Sequence, residues 1–167
     1  MSNEPAADAT SILQRVVTEM RALSTDFDAM DEATAAFFGV NRTDSRCMDI
    51  LSRRTAMGMG ELARAMGLST AAATTVVDRL VRAGHVRRMP DSRDRRRIQV
   101  QLTPAAQRRG QRVFENMIRT GTSLLESYSS TDLELVAEFI ERTRAMVNEQ
   151  TQVIRTRAQR TARHSRD

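Results

Sequence analysis

The sequence predicts a mainly α-helical protein with one small β-hairpin, and three observations predict it. Apolar residues recur at alternating spacings of three and four through residues 10–38 and again beyond residue 103, as amphipathic helices require. Residues 61–83 read as a short and a longer helix hinged at Gly67. Residues 85–102 then read as a strand pair whose turn is dense in Arg. A helix-turn-helix followed by a basic hairpin is a winged helix-turn-helix, a shape that sets one helix in the DNA major groove and a loop in the adjacent minor groove. The expected division is residues 1–40 as an N-terminal helix belonging to a dimerisation region, 41–102 as the winged DNA-binding region, and 103–167 as C-terminal helices that complete the dimerisation region and end in a basic tail.

Residues 1–9 are small and acidic and include Pro5, a composition expected of a disordered tail. From Thr10 to Phe38 there is neither Gly nor Pro, and Leu13, Val16, Met20, Leu23, Phe27, Met30, Thr34 and Phe37 form a narrow stripe. Gly39 supplies the left-handed residue that ends this helix. For the second helix Thr43 is the expected N-cap, with Asp44 in the first turn, Met48 and Leu51 inward, and Cys47 beside them. The glycine-interrupted segment TAMGMG has room for a turn and a brief strand that adds to the later hairpin.

The third helix, Glu61 to Met66, turns Leu62, Ala65 and Met66 inward, and Gly67 makes the turn. Ser69 then caps a fourth helix, Thr70 to Ala83, which Gly84 ends. Ala73, Val76 or Val77, and Leu80 lie on its buried side. That leaves Thr70, Ala71, Thr74 and Thr75 exposed near the N-terminus, where small side chains approach base edges closely and methyl groups touch thymine methyls. On the last strand Ile98, Val100 and Leu102 alternate inward, so the loop from Pro90 to Arg95 must protrude.

Thr103 and Pro104 start a fifth helix, with Val113, Phe114, Met117, Ile118, Gly121, Leu124, Leu125 and Tyr128 on one face. Thr131 and Glu134 are the expected capping box of a sixth, along which Leu133, Val136, Ile140, Thr143, Val147, Gln150 and Ile154 step without a slip. Seams of this kind at both ends of the chain are expected to come together and pair with their counterparts in a second subunit.

Composition bounds the partners. A chain of 167 residues with 40% hydrophobic content can bury one core, or one small domain plus a dimer interface. Net charge is +5, and all 26 basic residues are Arg, a uniformity that points to codon usage rather than to selection at each site. The placement of charge is more informative. Residues 87–97 hold six Arg against Asp91 and Asp94, residues 155–167 hold five against Asp167, and the rest of the chain is net acidic. Two basic foci on an acidic background are the footprint of a polyanion site. The composition of the C-terminal focus reads as a disordered tail in preference to a contact with DNA or an acidic partner. The single Cys excludes an intrachain disulfide, the N-terminus MSNEPAADAT lacks the apolar run of a signal peptide, and no stretch suits a membrane span. The expected location is therefore the cytoplasm.

The hairpin GHVRRMPDSRDRRRIQVQLT resembles the signature of the MarR family of transcriptional regulators, and the preceding SxxxxT..VDRLVRAG resembles that family's recognition helix. With six helices in the same order, the resemblance spans nearly the whole chain. It implies a homodimer that binds double-stranded DNA at a pseudo-palindromic operator, as a repressor released by a small-molecule effector or an oxidant, and it implies no cofactor. Carried over, Arg96 is the wing-tip residue entering the minor groove, Asp94 pairs to hold the tip in shape, and Arg93 and Arg95 lie on phosphates. Thr70, Thr74 and Thr75 face the major groove together with Ser69 and Ala71 at the helix start, and Arg79 meets a phosphate or the base of the wing. Thr75 departs from the longer polar side chain of many relatives, which makes hydrogen-bond readout sparse and shifts weight to DNA shape. The implied ligand pocket lies where the first, second and fifth helices meet the winged unit, with Phe38, Cys47, Met48 and Phe114 as lining candidates.

Catalysis has little to work with. His85 and His164 are far apart in sequence, and two His with one Cys fall short of a zinc site. Neither a glycine-rich phosphate loop nor a nucleophile motif occurs, so an enzyme is not expected. Cys47, at helical spacing from Leu51, reads as core in preference to an exposed, low-pKa oxidant sensor. The alternative from another class is an architectural or protein-interaction module that adheres to nucleic acid without regard to sequence.

Overall fold

The structure, a computed structural model, describes residues 4–54, 56–91, 94 and 97–164. In chain order the elements are α1 (Glu4–Phe38), α2 (Arg42–Ser52), β1 (Met57–Gly58), α3 (Met59–Met66), α4 (Thr70–Arg82), β2 (Val86–Pro90), β3 (Ile98–Leu102), α5 (Pro104–Glu126) and α6 (Ser130–His164). The chain forms two compact units, residues 1–111 and 112–167.

In the first unit, α2, α3 and α4 close on a three-stranded antiparallel sheet of order β1-β3-β2. This mainly helical fold with a small sheet is a winged helix-turn-helix. The brief strand expected before the third helix is present, with Met57 opposite Val100. Strands β2 and β3 pair from Val86 against Leu102 to Pro90 against Ile98. Cys47, Leu51, Leu62, Val77, Leu80, Val86 and Val100 are fully buried and form the centre of the core, with Phe38 and Met48 at its margin. Every predicted apolar position on α4 is inside, both Val76 and Val77 included.

Local chemistry sets the boundaries. Gly39, Gly67 and Gly84 have φ of 68°, 69° and 74°, the left-handed conformation that lets a helix stop and the chain turn. Asn41, rather than Thr43, caps α2, its side chain accepting the Asp44 N–H at 2.9 Å. An amide oxygen at that position serves as well as a hydroxyl and starts the helix earlier. Thr103 Oγ1 accepts the Ala106 N–H at 3.2 Å and donates to the Gly84 carbonyl at 2.9 Å, so one side chain starts α5 and anchors it to the end of α4.

Several expectations need correction. Ala63, not Ala65, is the small buried residue of α3, beside Leu62 and Met66, which are inward as expected. Ile98 is exposed while Val100 is fully buried, because at Ile98 the strand has left the core cluster that takes in Val100. Helix α1 takes in Glu4–Ala9, expected as tail; Pro5 is tolerated in a first turn, and Ala6, Ala7 and Ala9 are strong helix formers. Helix α6 likewise continues through most of the expected C-terminal tail to His164, a segment without Gly or Pro.

In the second unit, Ser129 opens α6. Its hydroxyl accepts the Asp132 N–H at 3.2 Å and donates to the Asp132 carboxylate at 2.6 Å, a capping pair two residues ahead of the expected Thr131 and Glu134. Leu124, Leu125, Leu135, Val136, Phe139, Ile140, Val147 and Ile154 are exposed in this unit. In the first unit Leu13, Val16, Met20, Leu23 and Phe27 of α1 are exposed as well.

Candidate nucleic-acid interface

Helix α4 is set in place from three sides. Gly67 makes the turn from α3, and the Ser69 hydroxyl accepts the Ala72 N–H at 3.2 Å, capping the start. Beneath, Ala73, Val76, Val77 and Leu80 are buried in the core. The opposite surface near the N-terminus presents Ser69, Thr70, Ala71 and Thr75 exposed, with Thr74 half-buried. The hydroxyls of Thr74 and Thr75 donate to the carbonyls of Thr70 and Ala71 at 2.8 and 3.2 Å.

Two ion pairs hold the C-terminal half of α4. Arg79 grips Asp44 of α2 with one edge of its guanidinium, Nε at 2.8 Å from Oδ2 and Nη2 on Oδ1. Asp44 is buried, and a buried carboxylate needs such a partner. Its hydrogen bond to Arg79 pushes the guanidinium further up from its ordinary value, against partial burial, with the Asp44 charge adding to the rise. Through this pair Arg79 bonds the recognition-type helix to α2, with 42% of its side chain still exposed. The neighbouring Asp78 takes Arg88 of β2 at 2.7 Å, tying the same helix to the wing.

The described part of the wing tip is also bonded. The Asp91 N–H donates to the Arg97 carbonyl at 2.8 Å, the Arg97 N–H donates to the Asp94 carbonyl at 2.8 Å, and Gln99 Nε2 donates to the Asp91 carboxylate at 2.6 Å. Asp94 pairs with Arg97, Oδ2 to Nε at 3.3 Å. Arg93, Arg95 and Arg96, the expected DNA contacts of the wing, lie outside the described residues.

The residues implied as a ligand pocket are placed differently from one another. Phe38, Cys47 and Met48 are packed in the core of the first unit, whereas Phe114 is half-buried in the second. Burial, and secondarily the Asp44 carboxylate, push the Cys47 thiol up to about 12, the reverse of what an oxidant sensor needs. His85 is a packing residue. Its ring meets Phe38 edge-on at 5.7 Å, and its Nε2 lies 3.2 Å from the Phe38 carbonyl oxygen. Arg109 of α5 donates to the Phe37 carbonyl at 2.7 Å and lies over the Phe37 ring at 4.4 Å. A separate cavity of about 250 Å³ brings Arg53, Arg54 and Arg87 together with Gln101 and Gln107.

The sequence pattern of the MarR family matches residues 40–98, the span from the end of α1 to the start of β3. A protein of Bacillus subtilis, the uncharacterised HTH-type transcriptional regulator YcgE, is 31% identical over 144 residues, 86% of this chain and 94% of the relative. The chain belongs to the MarR family. Solved structures share the fold at lower identity. YusO from Bacillus subtilis superposes with a TM-score of 0.53 at 18% identity, over 80% of this chain and 95% of that one. A MepR mutant from a multidrug-resistant S. aureus clinical isolate does so with a TM-score of 0.59 at 15% identity, over 79% and 96%. No helix among the described residues of this MarR-family chain is long and apolar enough to cross a membrane.

Sequence reasoning missed both ion pairs that hold α4. The signal for one was present: Asp44 stands three, four and seven residues before Cys47, Met48 and Leu51, on the buried face of α2. A carboxylate there calls for a cationic partner from another element. The Asp78–Arg88 pair had no such sign, because its register depends on how α4 crosses the hairpin.

Proposed function

We propose that this protein is a sequence-specific DNA-binding transcriptional regulator, a repressor that acts as a homodimer on a pseudo-palindromic operator and answers to a small-molecule effector. One observation carries the DNA reading. The capped, small-faced start of α4 is exposed in the same unit as a hairpin whose turn holds Arg93, Arg95 and Arg96, with Asp78 and Arg88 bonding helix to hairpin. In this reading α4 enters the major groove, with Ser69, Thr70, Ala71, Thr74 and Thr75 at the base edges. Arg96 enters the minor groove, where concentrated negative potential attracts a guanidinium, Asp94 steadies the turn, and Arg93 and Arg95 neutralise phosphates. Two copies are joined through the exposed apolar residues of α1, α5 and α6, corresponding to a dimerisation region of residues 1–40 and 103–167.

Two places in the first unit bear on where an effector binds. A molecule seated among Phe38, Cys47 and Met48 would have to part packed side chains, whereas the cavity lined by Arg53, Arg54 and Arg87 suits a carboxylate or phosphate group.

The test is a titration of the protein's own promoter-region DNA at fixed salt. Arg96→Ala is expected to weaken binding by about 1–3 kcal/mol, and unchanged affinity would contradict the assignment of the wing. Competition with bulk DNA then separates a regulator from a sequence-indifferent module. The regulator prefers its site by about 10³ or more, and the module is displaced in proportion to added DNA.

A further inference from the structure

The first two turns of α4 lack every side chain that reads a base with two hydrogen bonds. From Ser69 to Val77 there is no Arg, Asn, Gln, Asp or Glu, the groups that pair with base edges in the major groove. The charged residues further along each have a bond within the protein. Asp78 holds Arg88, Arg79 holds Asp44, and Arg82 Nε donates to the Asp78 carbonyl at 3.3 Å. Ser69 spends its oxygen on the cap, and the Thr74 and Thr75 hydroxyls spend their hydrogens on the backbone. What this surface offers is the methyl groups of Thr70, Ala71, Thr74 and Thr75, with the Thr74 and Thr75 oxygens left as acceptors.

We infer that α4 recognises its operator through the 5-methyl groups of thymine, with Thr75 and Ala71 as the central specificity-determining residues. The inference rests on the reading of α4 as the major-groove helix and adds the chemistry it reads. A thymine methyl is the one apolar feature that a major-groove base edge presents, and it is the natural counterpart of a face made of methyls. The Thr74 and Thr75 oxygens, whose hydrogens are held by the backbone, can accept the exocyclic amine of the paired adenine and gain nothing from the two acceptors of guanine.

The experiment uses the full chain and the best-bound duplex recovered from a random-sequence pool, with each thymine replaced in turn by deoxyuridine, which keeps base pairing and removes only the methyl. Replacements beneath α4 should each weaken binding about fourfold, the worth of burying one methyl-sized group, and replacements outside the footprint should leave it unchanged. Thr75→Val, which keeps a methyl in place, should retain affinity. Thr75→Ser, which keeps the hydroxyl and loses the methyl, should bind about fourfold more weakly and become insensitive to deoxyuridine at one position. A duplex with every thymine replaced that still binds as well as the original would overturn the inference while leaving the regulator reading intact. A pool from which no duplex is enriched would remove both.

Discussion

The winged region and the terminal helices share the same apolar periodicity and put it to different ends. In the winged region Leu62 and Leu80 are 0% exposed, and the residues that cover them belong to the same chain. On the terminal helices Leu13 and Ile154 each keep 65% of their surface exposed, although their spacing is just as regular. Periodicity thus identifies a face that must be covered but not what covers it. Evenly spaced apolar residues left in water at this density mark a surface for another protein segment, and the matching seams at the two ends of the chain make a second copy the economical choice.

The largest effect is expected from charging the seam. Converting Val136, Ile140 and Val147 to Glu should abolish association, since buried interface anchors are worth about 2 kcal/mol each or more. Sedimentation velocity should show the mass of one chain while circular dichroism stays near that of the parent. A species of unchanged mass would break the comparison.

Next in size is Leu80→Ala, which opens a cavity in a closed core and should cost about 2–5 kcal/mol in urea denaturation. Ile154→Ala in the dissociated chain should cost less than about 0.5 kcal/mol. Equal losses would mean that the two regions are not different in kind.

A smaller, pH-dependent effect comes from Cys47. Its thiol is pushed up from 9.0 to about 12 in the folded protein, so the stabilisation is complete below pH 9 and is lost as pH climbs toward 12, where the unfolded chain carries a thiolate and the folded chain does not. The slope approaches about 1.4 kcal/mol per pH unit. Cys47→Ala should flatten that decline, which thermal melts across this range would register.

The smallest change is expected from Asp78→Asn, which removes a partly exposed ion pair with Arg88 and should lower stability by about 1 kcal/mol or less. A larger loss would show that the wing depends on α4 for its fold and not merely for its placement.

Most of the winged region was legible in the sequence because its signals are local. Gly39, Gly67 and Gly84 mark stops, Ser69 and Thr103 mark starts, and the buried side of α4 follows from spacing alone. Legibility failed where a residue's fate depends on what lies across from it. Ile98 alternates like a core residue yet stays exposed, and Arg79 is bound to Asp44, 35 positions away, a partner that no spacing within α4 indicates. The exposed methyl face of α4 could be read from residues 70–75, but the use of the Thr74 and Thr75 hydroxyls by the backbone could not. Cap positions shifted by two residues at α2 and α6 for a simpler reason, since Asn41 and Ser129 offer the same chemistry as the residues first chosen.

The central claim is that two winged units are paired so that both copies of α4 address one face of the same duplex. It is tested most directly by selecting duplexes from a random pool with the full-length protein and reading the symmetry of those enriched. The account predicts an inverted repeat whose half-site centres lie one helical turn apart, ~34 Å, with thymines inside each half. Enrichment of a single unrepeated half-site, or of none, would contradict it.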